Sequence, residues 1–440
     1  MKTIRLPLFA ALALAVLLPF AAVNETAAAN AGANASANGP LRPLTAAQVT
    51  RRMTSEVYGF LPYWLETSQT ATSVRFDLLT TVAFFDIDLN VDGSVNRTTS
   101  GYLALTSPTA NAIIRTAHAA GVRVDLTLAS FGFLKNRAFL RNPAAQRRAI
   151  RQILAIMTVR GIDGIAVDLE SVYRRDLPDL SRFVSALARA VHAHNHIGRV
   201  TVAVGASQAG EAMAEAALAG HADRVLIMGY DYRSDQSATT GSTDPLLRRG
   251  GGMSLTWTVN LFAAARLPMN RIILALPYYG MSWPTTSARP GSAPARAAYG
   301  RAPAYPIRVS KVVVPSGARH GYDPVEASAW VATWDAHLHI WRQTYYDSPA
   351  SLTAKYAFAR SRGLAGIGLW ALGYDAGSAL NWQVIARTFQ RPVAKAHPAP
   401  KKIHKIVHKL RKHVAKPKVH PAKHAPAKVA PAHPKISKAL

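Results

Sequence analysis

Between about residues 55 and 390, short β-branched runs alternate with stretches of helical periodicity. Eight runs read as strands: EVYGFLPYW, LLTTVAFFDIDL, VRVDLTLASFGF, GIDGIAVDLE, RVTVAVGAS, DRVLIMGYDY, RIILALPYYG and GLAGIGLWALGYD. Two of the helices between them are clearly marked. In NPAAQRRAIRQILAIMTVRG, Asn142 can cap, Pro143 suits the first helical position and Gly161 stops the chain. Its apolar face is Ile150, Ile153, Leu154 and Met157. In DLSRFVSALARAVHAHN the face is Leu180, Phe183, Val184, Leu187 and Val191. Strands alternating with helices imply a parallel sheet with right-handed crossovers, and eight strands close a barrel. A flat doubly wound sheet is the competitor, but no Gly-rich phosphate loop follows the first strand. Roughly 70 residues separate strands seven and eight, too many for a plain connection. The expected fold is α/β, a (β/α)8 TIM barrel over 55–390 with a small α+β insertion at about 284–345.

The fourth strand ends in acids. Side chains alternate along a strand, so Ile165, Val167 and Leu169 point to the helices. Gly164, Ala166, Asp168 and Glu170 then point into the barrel. Two inward carboxylates about 7 Å apart repel, one pKa should rise, and a raised carboxyl can act as a general acid. The C-terminal strand ends are also where barrel enzymes place their chemistry. A structural ion pair with a neighbouring Arg is the competing explanation.

Composition changes the picture at both ends of the chain. Residues 1–30 read as a secretory leader: MKTIR is basic, Leu6–Val23 is apolar, and small residues follow. An uncleaved anchor is the rival, disfavoured by Pro7, Pro19 and the Ala-rich flank; no second span is visible. Residues 31–54 read as a loose linker. Residues 391–440 hold 14 Lys and Arg, seven His and no acid, half of the +28 net charge. Frequent Pro makes disorder the expectation there, although KKIHKIVHKLRKHV has helical spacing. Such a tail can tether the protein to a polyanion, and export favours a cell-envelope polymer over nucleic acid. The mature protein is expected to be secreted or envelope-associated, with no transmembrane span after leader removal. With no Cys in 440 residues, disulfides and thiolate metal sites are excluded.

The octapeptide DGIAVDLE resembles the D-G-x-D-x-D-x-E signature of glycoside hydrolase family 18 at Asp163, Gly164, Asp168 and Glu170, with Ala166 where chitinases usually have Asp. Further marks follow in order: SFGF at 130–133, beginning with Ser130 and carrying Phe133 in place of a Gly; MGYDY at 228–232; LPYYGMSW at 276–283; GIGLWALGYD at 366–375. The segments GYDPVEASAW and YYDSPASLTAKYAFARSRGLAGIGLW look like the branch containing spore-germination, cortex-lytic N-acetylglucosaminidases. The resemblance implies a retaining, substrate-assisted hydrolysis of β-1,4 links beside N-acetylglucosamine, in peptidoglycan or chitin-type polymers. It implies Glu170 as general acid, Asp168 as acceptor of the acetamido N–H, and Tyr230 as donor to the acetamido oxygen. Asp231 would bind sugar hydroxyls, Trp370 would offer an apolar face at −1, and Met228 would pack beside the sugar. Tyr63 and Trp64, after strand one, could stack on a ring. Without an Asp at 166, Asp168 is expected to ionise more easily. The family also contains inactive members, so a lectin-like carbohydrate-binding barrel tethered by the tail is the alternative.

No cofactor or metal is expected. His192, His194 and His196 lack the i, i+4 spacing of a helical metal pair. DLNVDG resembles half of a calcium loop, but Thr99 stands where its closing Glu belongs, so a polar turn at the rim, with Asp86 near the sugar, is expected instead.

Overall fold

The structure is a computed structural model that describes residues 39–392. The expected leader, and the expected tail past residue 392, lie outside the described residues. The strands are β1 (Glu56–Pro62), β2 (Thr81–Asp88), β3 (Arg123–Phe131), β4 (Gly164–Glu170), β5 (Val200–Gly205), β6 (Arg224–Met228), β7 (Ile272–Pro277), β8 (Tyr279–Thr285), β9 (Tyr305–Arg308), β10 (Arg319–Asp323), β11 (Ser328–Asp335), β12 (Ile340–Tyr346) and β13 (Gly366–Trp370). A closed barrel runs β1-β13-β7-β6-β5-β4-β3-β2. Its neighbours are parallel, with Asp125 opposite Gly164 and Ala129 opposite Asp168. All eight expected strands are present.

The alternation inferred for β4 is seen directly. Ile165, Val167 and Leu169 join the apolar layer between barrel and helices. Ala166 packs inside the barrel with Tyr58, Phe60, Phe85 and Leu226. The helix Pro143–Arg160 begins as expected: the Asn142 side chain accepts from the N–H groups of Ala144 and Ala145, and Gly161 leaves it at φ 64°. Its buried face includes Ala149 and Ile156, while Ile150 and Leu154 are only partly covered.

Two boundaries differ from expectation. The insertion spans 279–346, because β8 starts one residue after β7 and pairs antiparallel with β12, Met281 opposite Tyr345. The sheet order is β10-β11-β12-β8-β9. LPYYG therefore belongs to two strands, a break that an unbroken apolar run conceals. The segment expected to be a loose linker is docked over its described part. Leu44 is buried, its N–H donates to Asp163 Oδ1 at 2.6 Å, and Met53 bridges to Gln390. A buried carboxylate needs donors, and this one recruits the chain just before the barrel. Among the described residues no helix is long and apolar enough to cross a membrane.

Candidate active site

The signature on β4 divides by function along the strand. At its base, Asp163 is fully buried. Its Oδ2 accepts from Val124 N–H at 2.7 Å and lies 2.9 Å from His118 Nε2. Gly164 follows because a Cβ there would come within 2.6 Å of the Arg199 carbonyl and of Asp125 Oδ1. These two residues hold the strand in place, far from its chemical end. Ser130 on β3 is also structural: it pairs with Leu169, an outward residue, and its carbonyl accepts from Asn136 Nδ2 at 3.1 Å. The same amide bonds the Glu170 carbonyl and so ties the two strand ends together.

At the upper end, Asp168 is buried and Glu170 opens to solvent. Asp168 Oδ1 has no hydrogen-bond partner among the described residues. Burial, then the charges of Glu170 and Asp86, push Asp168 up to about 8. Burial, then the charge of Asp231, raises Glu170. Asp168 is thus raised relative to an ordinary Asp even though no carboxylate stands at 166. Losing a carboxylate at 166 removes one like charge, but Ala166 belongs to an apolar layer that withholds solvation. Asp86 at the end of β2 supplies a like charge instead, and is itself pushed up to about 7 by burial and by Asp88.

Tyr230 and Asp231 follow β6. Burial, then the charges of Asp168, Asp231 and Glu170, hold the Tyr230 phenol well above its ordinary range, so it remains a donor. Asp231 adopts φ 59°, a left-handed conformation that Asp tolerates better than most residues. Tyr279 O–H donates to Asp231 Oδ1 at 2.5 Å, and the Tyr279 and Tyr230 rings meet edge to face at 6.1 Å. The loop beyond is anchored to the insertion by Arg233, which grips Glu326 through two hydrogen bonds of 2.9 and 2.6 Å. Lys355, fully buried, bridges Asp244 and Asp347 at 2.7 and 2.5 Å and fixes the far end of that loop.

Tyr279 is a residue that the sequence reading left without a role. Its hydrogen bond lowers the Asp231 pKa against the upward push of burial. Tyr279→Phe should therefore move the acidic limb of the kcat/KM profile to higher pH, because Asp231 would stay neutral over a wider range. Loss of the bond that orients Asp231 should also raise KM. An acidic limb that stays put would show that Asp231 need not be ionised.

The floor is aromatic. Trp370 ends β13 and meets Phe85 edge to face at 4.7 Å and Phe60 at 5.5 Å. Trp64 extends the series, 6.3 Å from Phe85 and 4.8 Å from Tyr63. Phe60 and Phe85 are further members that the sequence motifs did not single out, although both occupy inward positions next to Trp370. Met228, at the end of β6, packs against the barrel interior and lines a cavity beside Glu170. The site thus brings together Glu170, Asp168, Tyr230 and Asp231, with Trp370 on the floor.

Nothing in the site resembles a metal centre: no group of three or more His, Asp or Glu side chains suited to an ion occurs among the described residues. His192 pairs with Asp223 at 2.9 Å. The DLNVDG segment is a tight turn in which Asp92 accepts from Ser94 N–H at 2.9 Å and is salt-bridged to Arg148 at 2.5 Å.

Comparison with known proteins places this geometry. Mouse Chitotriosidase-1 is 24% identical over 277 residues, 56% of this chain and 56% of its own length. A probable endochitinase of Caenorhabditis elegans is 24% identical over 279 residues, 56% of this chain and 42% of its own. The chain thus spans about half the length of these curated relatives. Among solved structures, a family GH18 chitinase from Cycas revoluta in complex with allosamidin superposes with TM-score 0.64 at 19% identity, over 76% of this chain and 99% of that one. The Bacillus cereus spore cortex-lytic enzyme SleL superposes with TM-score 0.57 at 19% identity, over 78% and 76%. Both share the fold. The family described as Glycosyl hydrolases family 18 matches residues 60–375, which contain the acids of β4, the Tyr230–Asp231 pair and Trp370; the chain belongs to that family.

Proposed function

We propose that the protein is a glycosidase that cleaves β-1,4 links beside N-acetylglucosamine, in chitin-type polymers or peptidoglycan, with retention of configuration. The observation that carries this reading is the buried, unpartnered Oδ1 of Asp168 beside Glu170 and Tyr230. An acetamido group can satisfy all of them. Its N–H would meet Asp168, its oxygen would accept from Tyr230, and the sugar ring would lie on Trp370.

The chemistry follows from the charges. Glu170, raised and therefore available in its acid form, delivers its proton to the glycosidic oxygen as the C–O bond breaks. The acetamido oxygen attacks the anomeric carbon from the opposite face and forms an oxazolinium. Asp168, neutral in the free protein, releases its proton to solvent when the substrate binds, because the acetamido N–H stabilises its carboxylate, and that carboxylate then offsets the positive charge of the oxazolinium. Glu170, now a base, takes a proton from the water that opens the ring.

The test is product analysis by mass spectrometry after incubation with chito-oligosaccharides and, separately, purified peptidoglycan. Products from either support the reading. Bound oligosaccharide without product from either would sink it and favour a lectin-like barrel. Export and retention at the cell envelope form the outer part of the proposal, supported by the apolar run at Leu6–Val23 and the acid-free basic tail. Removing 391–440 should leave products from soluble oligosaccharides unchanged and weaken binding to anionic envelope polymer, most clearly at low salt. Loss of soluble activity with the tail would refute that division.

A further inference from the structure

A cavity of about 220 Å³ opens beside Glu170 on the β4–β5–β6 side of the barrel mouth. It shares Glu170 and Met228 with the site described above, but Asp168, Tyr230 and Trp370 do not line it. Those three residues define the sugar under attack. An acid that protonates the scissile oxygen stands between that sugar and the leaving group, so a cavity that borders Glu170 without touching Asp168, Tyr230 or Trp370 is in reach of the leaving-group sugar. Its walls are apolar or small, including Val172, Ala203, Ala209 and Met213. Its volume falls below the roughly 300–1,000 Å³ of pockets that enclose a whole ligand. It is sized for a substituent on a sugar.

The lip has a distinct character. Phe131 and Phe133 are 45% and 44% exposed, and Leu134 is 76% exposed. Phe133 stacks on Tyr173 at 4.5 Å, and the Arg175 guanidinium lies 4.9 Å from the centre of the Tyr173 ring. Arg174 and Arg175 are both exposed, and neither forms a salt bridge among the described residues. An apolar chamber leading to a cationic rim suits a branched apolar group that continues into carboxylates.

We propose that the cavity takes the substituent on the 3-oxygen of the leaving-group sugar, and that this substituent is a lactyl ether extended by an acidic peptide, as in peptidoglycan. The 3-oxygen sits on the carbon next to the one whose oxygen Glu170 protonates, so its substituent is directed into the space beside that acid. The lactyl methyl and the first small peptide residue fill the chamber, while the peptide carboxylates reach Arg174 and Arg175. The hydroxyl that chitin carries at this position would leave the chamber unfilled. The assignment rests on the hydrolase reading above and names its substrate.

The test compares kcat/KM of the purified full chain on two tetrasaccharides: chitotetraose, and a peptide-bearing tetrasaccharide released from peptidoglycan. The second should be preferred by about tenfold or more, the discrimination available from filling one apolar pocket. Ala209→Phe fills the chamber from an exposed position in the first turn of the helix Gln208–Ala219, so the fold should survive; it should bring the ratio of the two values close to one. Arg174→Glu with Arg175→Glu should also lower the ratio. A wild-type ratio of one or less overturns the proposal, as does a ratio unmoved by Ala209→Phe. If neither tetrasaccharide is cleaved, the hydrolase reading has failed, and the cavity is judged by calorimetric binding alone. The same preference, lost in Ala209→Phe, is then expected; equal affinities refute it.

Discussion

Glu170→Gln is expected to lower kcat on oligosaccharides by about 10²–10⁴-fold while leaving KM within a few-fold, because the amide keeps the shape but has no proton to give. The loss should depend on the leaving group. An aryl glycoside whose phenolate departs without protonation should lose far less in its first step than a sugar-leaving substrate. That contrast separates an acid from a residue that merely shapes the site. Equal losses on both substrates would remove Glu170 from the acid role. The pH dependence has a definite sign. Burial and the charge of Asp231 raise Glu170, so its acid form persists to higher pH than an ordinary Glu. Activity should fall as pH climbs through that raised value, and the basic limb should vanish in Glu170→Gln.

Asp168→Asn should separate activity from stability in opposite directions. The carboxylate that forms at Asp168 offsets the positive oxazolinium, and an amide cannot, so kcat should drop by about 10²–10³-fold. Stability should rise. Asp168 titrates near 8 in the folded protein and near 3.9 in an unfolded chain. The folded state therefore holds the proton more tightly, and wild-type stability declines as pH rises from about 4 to about 8. The variant has no such titration. Its melting temperature relative to wild type should climb across that window and level off above about pH 8, with a gain of a few kcal/mol at the plateau. Thermal unfolding at pH 4, 6 and 8 reads it. A difference that does not change with pH would mean that Asp168 is already ionised in the folded protein, and the account of its neighbours would fail.

The same residue shows where sequence reasoning reaches its limit. From the alternation of β4, Asp168 and Glu170 were legible as two inward acids at a strand end, and their mutual repulsion followed. How far burial would raise Asp168 was not. Replacing an acid with Ala removes a like charge, which taken alone predicts easier ionisation. The barrel interior answers with Phe60, Phe85 and Leu226 around Ala166, and with the charge of Asp86 arriving from β2. Solvation lost to neighbours from other strands raises Asp168 even with no acid at 166.

What the sequence determined by itself was the barrel and the address of its chemistry. Eight apolar runs separated by helical periodicity identify a closed parallel sheet because each strand is buried on both faces and must show it locally. The helix that starts at Pro143 was equally visible, since caps and stops act within a few residues. What only the tertiary structure decided depends on residues far apart in the chain. Tyr279 reaches Asp231 across 48 positions, Glu326 steadies the loop at Arg233 across 93, and Leu44 satisfies Asp163 across 119. Each is a polar group whose partner is chosen by packing, and no local pattern records that choice. The cavity beside Glu170 is of the same kind. It is the space left between β4, β5 and the helix after β5, and its size exists only once those elements are assembled.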